Sequence, residues 1–575
     1  MTTAAAIAAL LVDAFADYDA RFGDITRRAQ RRFAQCDWAG ARADAVARID
    51  LYEECLAETL ARLDARFGER IRSHMLWRQV RTAYAEAIAG FLDSELNKTF
   101  FNSLTRRLFN TRGVDPAIEF EAAGIEPTDH ITHPAPRHVY AIGDDLEATC
   151  RLLLGDFAFV GGFADADADA AALARALAPA PGQDPLRSIE LLRTVFYREQ
   201  RAYLVGRTFS ETGWCPLVIA LTNGPGGVRA DAALTVRDEV SMLFGYARSW
   251  FHADLPTVGD AVVFLRSLLP RKPVDEIYAS LGRAKQAKTE RFRRLMRHLE
   301  RNPDERFVIA EGTPGLVMMV FTLPGHPLVF KLIRDRFGPN KPMSRADVIG
   351  RYRLVQRHDR VGRLVDAQEF RTLRFPRARF EPGLLAGLLE ACAQTVELDG
   401  EDVLIRHCYI ERRLRPLNLY LKEVDDDAAR AAVLDYGQAI KDLARSGIFA
   451  GDLLLKNFGI SRNGRAIFYD YDELCELERC RFRALPELDE DAVLLPLDEA
   501  VYAAPGDVFP AQFPQFLGLR PALHRALLET HGELFDPAWW QAVQAELAHG
   551  RPLDVPPYPD HRRLHREGRP VAAAC

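Results

Sequence analysis

The hydrophobic pattern of this 575-residue chain changes at the polar, proline-containing stretch Arg301–Glu305. Before this stretch, apolar residues recur mostly at the spacing of amphipathic helices. After it come three short runs rich in β-branched and aromatic residues and separated by turn residues: Arg306–Glu311, Leu316–Leu323 and Leu328–Ile333. This change of period predicts two large domains, 1–304 and 305–575, in agreement with the length of the chain.

The first predicted domain is mostly helical with a minor β insert. Long packed helices are expected over Thr2–Asn110. Short strands are expected in three runs of residues: His138–Ile142, Ala202–Phe209 and Leu217–Leu221. A further long helix is expected over Asp275–Leu299. Its basic run Arg283–Arg297 is predicted to be a solvated helix face, with contact to a partner or effector as the alternative.

The second predicted domain joins a β-rich lobe to a helical lobe, so the predicted fold class is α+β. A helix over Ser344–Gln356 follows the three strands. Further strands are expected around Arg363–Glu369 and over Val403–Arg412. The rest of the sequence is predicted to be mostly long helices, including one over Asp427–Ser446.

Composition excludes several classes of protein. A formal net charge of −6 over the whole chain provides no overall basic field for nucleic acid. The apolar segment Leu316–Phe330 is interrupted by Pro324, Gly325 and Pro327, and it is shorter than the roughly 20 residues of a membrane span. Nine scattered cysteines fit reduced thiols. We therefore expect a cytoplasmic protein that binds neither nucleic acid nor a membrane.

The sharpest functional motif is the sequence GDLLLKN with FYDYDE downstream of it. Asp452, Asn457 five residues later and Asp470 thirteen residues beyond reproduce the spacing of a kinase catalytic loop and its metal-binding carboxylate. In this arrangement Asp452 orients the acceptor hydroxyl. Asn457 and Asp470 offer the oxygen ligands that Mg²⁺ prefers, and Asp472 is a further candidate ligand. In isolation, the same residues also fit a turn with exposed carboxylates.

A second motif supplies candidate ligands for the phosphates of ATP. The turn between the first two strands of the second domain contains two glycines, which let backbone N–H groups approach phosphate oxygens. Its residues are Ala310, Glu311, Gly312, Thr313, Pro314, Gly315 and Leu316. Lys331, in the third strand, is suited to direct its ammonium group at the α and β phosphates. An ordinary hairpin turn and a solvated strand lysine are the alternatives.

These motifs occur in the order that a bilobal kinase requires, with three departures. Ala450 and Gly451 replace the His-Arg pair that precedes the catalytic aspartate in eukaryotic-type kinases. Asp-Tyr-Asp replaces Asp-Phe-Gly. No glutamate occupies an obvious helical position to pair with Lys331, which leaves Asp359 and Glu369 as candidate partners.

Several longer blocks of sequence are similar to the bacterial isocitrate dehydrogenase kinase/phosphatase family over nearly the full chain. They are Tyr352–Arg363, Tyr409–Arg413, Lys456–Gly459, Phe468–Glu473 and Pro505–Pro510. The resemblance implies a mostly helical N-terminal regulatory domain followed by a bilobal protein-kinase-like domain. It also implies one polypeptide that phosphorylates a serine of NADP-dependent isocitrate dehydrogenase and removes that phosphate again. This would control flux between the citric acid cycle and the glyoxylate bypass.

The resemblance further implies ligands and site residues. The family's ATP segment falls on the glycine turn and Lys331, with ATP or ADP and Mg²⁺ as cofactors, and AMP and metabolites act as effectors. The family's aspartate for the phosphatase reaction falls on Asp366. Judged from the residues alone, Asp366 fits equally well a strand-end carboxylate in a salt bridge.

Two other functions remain open at this point. A small-molecule kinase related to aminoglycoside phosphotransferases would also use closely spaced carboxylates, but the large N-terminal domain disfavours it. The missing His-Arg pair suggests instead a kinase-shaped binding protein without turnover. The presence of Lys331, Asp452, Asn457 and Asp470 argues for activity.

Overall fold

Four long helices form the first part of the N-terminal domain. They are α1 Thr3–Ala34, α2 Trp38–Phe67, α3 His74–Ile88 and α4 Ser94–Phe109. The first three begin after residues whose side chains accept a hydrogen bond from a first-turn amide: Thr2, Asp37 and Ser73. Their apolar faces meet in a cluster of aromatic rings that includes Tyr18, Tyr52 and Phe100. The helical prediction for this region is confirmed.

The computed structural model describes residues 2–111, 113–120, 134–245, 250–338, 343–485, 503–549 and 553–565.

A six-stranded sheet follows the helices, where the sequence prediction of a minor β insert contained three strand runs. Its strands are β1 Arg137–Ala141, β2 Ser188–Leu192, β3 Phe196–Arg198, β4 Arg201–Phe209, β5 Trp214–Gly224 and β6 Gly227–Leu234. They are ordered β1-β2-β4-β5-β6, with β3 paired to β4. Helices α5 Leu146–Gly155 and α6 Ala166–Leu177 cover one face, and the helical bundle covers the other. Because both faces are buried, these strands lack the alternation of apolar and polar residues by which a strand is recognised in a sequence.

The N-terminal domain ends in four helices, and here two predictions were wrong. The helices are α7 Arg237–Leu243, α8 Val258–Leu268, α9 Val274–Ser280 and α10 Ala284–Arg301. The single helix predicted over Asp275–Leu299 is broken at Gly282, where φ is +80° and a Cβ atom would lie 1.9 Å from a nitrogen of Arg48. The basic run on α10 is not a solvated face. Arg291 and Arg293 are only 2% and 6% exposed, because both form ion pairs inside the protein.

The β-rich lobe of the C-terminal domain is also a six-stranded sheet. It contains β7 Val308–Ile309, β8 Met318–Thr322, β9 Leu328–Ile333, β10 Gln368–Pro376, β11 Val396–Asp399 and β12 Asp402–Arg412, and helices α11 Arg345–His358 and α12 Pro382–Ala391 accompany it. The order is β10-β12-β9-β8-β7, with β11 paired to β12. The three short strands and the helix were predicted correctly. The strand expected around Arg363–Glu369 begins only at Gln368, because Arg363 instead accepts a hydrogen bond from the amide of Phe468 at 2.8 Å.

The helical lobe packs below this sheet. Its elements are β13 Arg415–Pro416, α13 Leu417–Glu423, α14 Asp426–Arg445, β14 Ile448–Phe449, β15 Phe458–Ile460, β16 Ala466–Phe468, β17 Cys475–Glu476, β18 Arg481–Phe482, β19 Asp507–Val508, α15 Phe513–Phe516, α16 Pro521–His531 and α17 Pro537–Ala548. Buried Tyr436 and Trp540 anchor α14 and α17 in the core of this lobe. The fold is therefore α+β, as predicted.

The two domains meet across a cavity of about 300 Å³, which is lined by residues from both of them. Near the end of the described chain, residues 553–565 return to the sheet of the N-terminal domain. There Asp554 accepts two hydrogen bonds from Arg201, at 2.6 and 2.7 Å, and Tyr558 donates its hydroxyl to Asp231. These contacts tie the C-terminal segment of the chain to the N-terminal domain.

Candidate active site

Lys331 lies at the centre of the candidate active site, on strand β9. Its ammonium nitrogen is 2.7 Å from the carboxylate of Glu411 and donates to the carbonyl oxygen of Tyr469 at 2.7 Å. The register of the sheet explains the ion pair. Lys331 lies opposite Tyr409 on β12, so Glu411, two residues further along, projects from the same face. Lys331 is 6% exposed and is therefore not the solvated lysine of the alternative interpretation.

The partner of Lys331 is thus neither Asp359 nor Glu369, and both of these sequence-based candidates were wrong. One oxygen of Asp359 accepts hydrogen bonds from the amides of Val361 and Gly362, while Glu369 pairs with Arg371 and His407. Burial raises the pKa of Glu411, and the charge of Lys331 opposes that rise. Glu411 was not predicted, because the expected partner of Lys331 was a glutamate on a helix, whereas the carboxylate comes from the neighbouring strand.

The loop that contains Asp452 and Asn457 follows strand β14. One carboxylate oxygen of Asp452 accepts a hydrogen bond from the amide of Leu454 at 3.0 Å, and the side-chain amide of Asn457 donates to the Asp452 carbonyl at 3.1 Å. Gly451 explains why no arginine side chain directly precedes Asp452. It has φ +78°, and a Cβ atom there would lie 2.5 Å from both the Cβ atom and the carbonyl oxygen of Glu473. A side chain before Asp452 would therefore push the two segments apart.

The hairpin β15–β16 brings the next segment to the same place. Phe458 pairs with Phe468, and the amide of Tyr469 donates to the carbonyl of Asn457 at 3.1 Å. Asp470 follows directly. Consequently a continuous series of hydrogen bonds joins Lys331, Tyr469, Asn457 and Asp452.

Asp470 and Asp472 lie on either side of Tyr471 in this segment. Tyr471 is buried and donates its hydroxyl to the carbonyl of Val365 at 2.7 Å. Burial raises the pKa of Tyr469, and the negative charge of Asp470 raises it further. Carboxylate oxygens and the side-chain oxygen of Asn457 are ligands of the kind that Mg²⁺ prefers. The metal-binding role of these residues stays a prediction.

The glycine turn, Ala310–Leu316, lies between strands β7 and β8, next to the connection between the lobes. The amide of Ala310 donates to Val320 at 3.1 Å, and Glu311 forms an ion pair with Arg415 of that connection. Gly312 has φ +124°, and a Cβ atom on Gly315 would lie 2.8 Å from the carbonyl oxygen of Met318. Both glycines are therefore required by the backbone, whether or not the turn binds phosphate.

Asp366 precedes strand β10 and lines the interdomain cavity. One of its carboxylate oxygens accepts hydrogen bonds from Arg291 and from Gln368, both at 3.2 Å. Its negative charge also contributes to the raised pKa values of Glu411 and Tyr471, behind the larger effect of burial. Asp366 is thus part of a salt bridge, and it also lies within electrostatic range of the Lys331–Glu411 pair.

These features together define a protein-kinase-like domain: a β-rich lobe with a glycine turn and a buried Lys–Glu pair, above a helical lobe with an Asp-x4-Asn loop and a following carboxylate segment. A kinase domain implies the use of ATP. Across the described part of the chain, no helix is both long and apolar enough to cross a bilayer.

Comparison with known families is consistent with this class and narrows it. Residues 305–560 match the model of the isocitrate dehydrogenase kinase/phosphatase (AceK) kinase domain, and residues 8–303 match that of the regulatory domain of the same family. The chain belongs to the isocitrate dehydrogenase kinase/phosphatase family.

Curated relatives extend over nearly the full length of the chain. A protein named isocitrate dehydrogenase kinase/phosphatase from Xanthomonas euvesicatoria pv. vesicatoria is 54% identical over 565 residues, covering 98% of both chains. A protein of the same name from Anaeromyxobacter dehalogenans is 43% identical over 562 residues, covering 95% of both chains. The family resemblance inferred from the sequence blocks is therefore confirmed.

Proposed function

We propose that this protein phosphorylates a serine of NADP-dependent isocitrate dehydrogenase and also removes that phosphate, controlling flux between the citric acid cycle and the glyoxylate bypass. The names of the relatives support the substrate, since both proteins are similar to this chain over nearly their whole length. The observation that carries the proposal is the hydrogen-bonded series from Lys331 through Tyr469 and Asn457 to Asp452. The roles we propose are phosphate binding for Lys331, metal binding for Asn457 with Asp470 and Asp472, and proton transfer for Asp452.

In the forward reaction the β-rich lobe holds the phosphates of ATP, and the helical lobe holds the serine hydroxyl that accepts the phosphate. Lys331 and the glycine turn bind the phosphates of ATP, and Asp452 accepts the proton of the serine hydroxyl as its oxygen attacks the γ phosphorus. The bond to the β-γ bridging oxygen breaks, and ADP leaves. Asn457, Asp470 and Asp472 would hold Mg²⁺, which neutralises phosphate charge when bound.

In the reverse process the phosphoserine is hydrolysed. Water attacks the phosphorus, Asp366 accepts a proton from that water, and the bond between phosphorus and the serine oxygen breaks. The proton held by Asp366 then passes to the serine oxygen, which gives serine and inorganic phosphate. ADP and Mg²⁺ in the same centre would orient the phosphate. Arg291 donates both to Asp366 and to the carbonyl of Ile410, next to Glu411, and this supports a role for Asp366 beside the Lys331–Glu411 pair.

The proposal includes regulation by AMP and metabolites in the cytoplasm. The interdomain cavity is the candidate effector site, because its lining contains seven basic residues and three carboxylates, a balance suited to a phosphate-bearing ligand. The basic residues are Arg237, Arg271, Lys272, Arg291, Arg412, Arg462 and Arg465. Ligands bound between the domains would alter how they fit together.

Incubation with γ-labelled ATP, Mg²⁺ and purified NADP-dependent isocitrate dehydrogenase tests the proposal. We expect label on a serine of the dehydrogenase, released as phosphate when ADP is added. The Asp452→Ala variant should abolish incorporation while its thermal unfolding stays unchanged. Undiminished labelling by this variant would refute the assignment of Asp452.

A further inference from the structure

Arg291 is a buried arginine of the N-terminal domain that reaches into the C-terminal domain. It lies on α10 and is 2% exposed. Its Nε donates to Asp275 of α9 at 2.9 Å, one terminal nitrogen donates to the carbonyl of Ile410 on β12 at 3.3 Å, and the other donates to Asp366 at 3.2 Å. A single guanidinium therefore joins both domains at the carboxylate assigned to hydrolysis.

Arg291 has two carboxylate partners, Asp275 and Asp366. Asp275 already supplies a carboxylate, which Arg294 of the same helix shares at 3.3 Å. The planar guanidinium fixes the directions of all its bonds, so Asp275 and Ile410 together determine where the nitrogen that faces Asp366 points. Arg291 thus presents Asp366 with a donor of defined position.

The same arginine also touches the strand that holds the partner of Lys331. Ile410 immediately precedes Glu411. Burial raises the pKa of Glu411, the positive charge of Lys331 lowers it, and the negative charge of Asp366 raises it. The two carboxylates repel each other, and Arg291 lies next to both, because it donates to Asp366 and to the carbonyl of Ile410 beside Glu411. A cation bound to Asp366 and to the backbone beside Glu411 offsets that repulsion.

We propose that Arg291 is a positioning residue for dephosphorylation: it holds the Asp366 carboxylate in the direction from which it serves the attacking water. The inference rests on the proposed role of Asp366 in hydrolysis. It means that the N-terminal domain takes part in one of the two reactions through a direct hydrogen bond. Phosphorylation, which uses Asp452, depends on this bond much less.

The first test compares Arg291→Lys with Arg294→Lys. Lysine keeps the charge but cannot make the three-way contact, so Arg291→Lys should lower the kcat of dephosphorylation about tenfold, leave its KM unchanged and reduce phosphorylation less than about threefold. Arg294→Lys is the matched control, because Arg294 contacts Asp275 without an ion pair to Asp366. It should change both rates less than about twofold. Equal losses in the two reactions for Arg291→Lys would overturn the inference.

A chemical rescue separates positioning from mere structural support. Arg291 lines the interdomain cavity, so guanidinium ion at non-denaturing concentration can reach the space left in Arg291→Ala. Partial recovery of dephosphorylation by guanidinium, and less by methylammonium, supports the inference. A parallel fall of both reactions and of the melting temperature, without rescue, contradicts it.

The variant Asp366→Asn distinguishes failure of this inference from failure of the proposed function. If Asp366→Asn leaves dephosphorylation unchanged, the role of Asp366 is wrong. If it slows dephosphorylation while Arg291→Lys slows both reactions equally, only the role of Arg291 is wrong. If both inferences hold, Arg291→Lys added to Asp366→Asn causes no further loss.

Discussion

The active centre and the interface between the domains are both built around buried cations, but the cations are held differently. Lys331 is held by one carboxylate and one carbonyl, on a framework of backbone hydrogen bonds. Arg291 and Arg201 at the interface are each held by side chains from two parts of the chain. Changes at the active centre should therefore slow catalysis, whereas changes at the interface should lower stability or alter the balance of the two reactions.

The largest effect is expected from Glu411→Gln at the active centre. Loss of the carboxylate removes the group that fixes the ammonium of Lys331, so phosphorylation should fall about a hundredfold in a labelled-ATP assay. Glu369→Gln is the matched control, since it makes the same change on the neighbouring strand β10, and it should leave the rate nearly unchanged. A normal rate for Glu411→Gln would mean that Lys331 needs no partner on β12.

Gly451→Ala tests whether the active centre depends on its backbone. The added methyl group would meet Glu473 and would occupy a left-handed conformation, so we expect a loss of about 2–3 kcal/mol in the free energy of unfolding and much slower phosphorylation. Urea unfolding and initial rates measure the two effects. Gly400→Ala is the control, because Gly400 has φ +65° but open space around its Cα atom, and it should cost only about 1 kcal/mol with a normal rate.

Asp554→Ala tests the interface side of the comparison. It leaves the buried Arg201 without its half-exposed carboxylate partner, so the free energy of unfolding should fall by about 1–2 kcal/mol while the phosphorylation rate stays unchanged. Asp426→Ala removes an exposed pair with Arg520 and should have no measurable effect on unfolding. A slower rate without a loss of stability in Asp554→Ala would break the comparison.

The smallest effect concerns His326, near the junction of the domains. Burial lowers its pKa to about 3, below the value of about 6.5 for an exposed histidine, so the unfolded chain binds a proton first. The stability contributed by neutral His326 is therefore complete above pH 6.5 and is lost as pH falls below it. Between pH 7 and pH 6 this amounts to about 0.7 kcal/mol.

Urea unfolding of His326→Gln at the two pH values measures this contribution. The variant should lose about 0.7 kcal/mol less than the wild type on going from pH 7 to pH 6. The exposed His549→Gln serves as the control and should behave like the wild type. Identical pH dependence in wild type and His326→Gln would contradict the assignment.

Most of the catalytic domain could be predicted from sequence, whereas much of the N-terminal domain could not. Strands β8 and β9 and helix α11 are predictable from their local hydrophobic pattern and from the turn residues between them. The N-terminal sheet is buried on both faces, so its short strands lack alternation and three of them, β2, β3 and β6, were missed. The basic face of α10 was predicted wrongly, because a pattern of charges does not show whether an arginine is surrounded by water or by buried carboxylates.

The relation of Asp452, Asn457 and Tyr469, which directly precedes Asp470, was determined by the sequence itself, because one loop and one short hairpin join these residues within a single segment. Only the tertiary structure decided that Glu411 meets Lys331 and that Arg291 meets Asp366, the latter across 75 positions of the chain. Such pairs depend on strand register and on how a helix of one domain docks against a strand of the other, which no local pattern encodes.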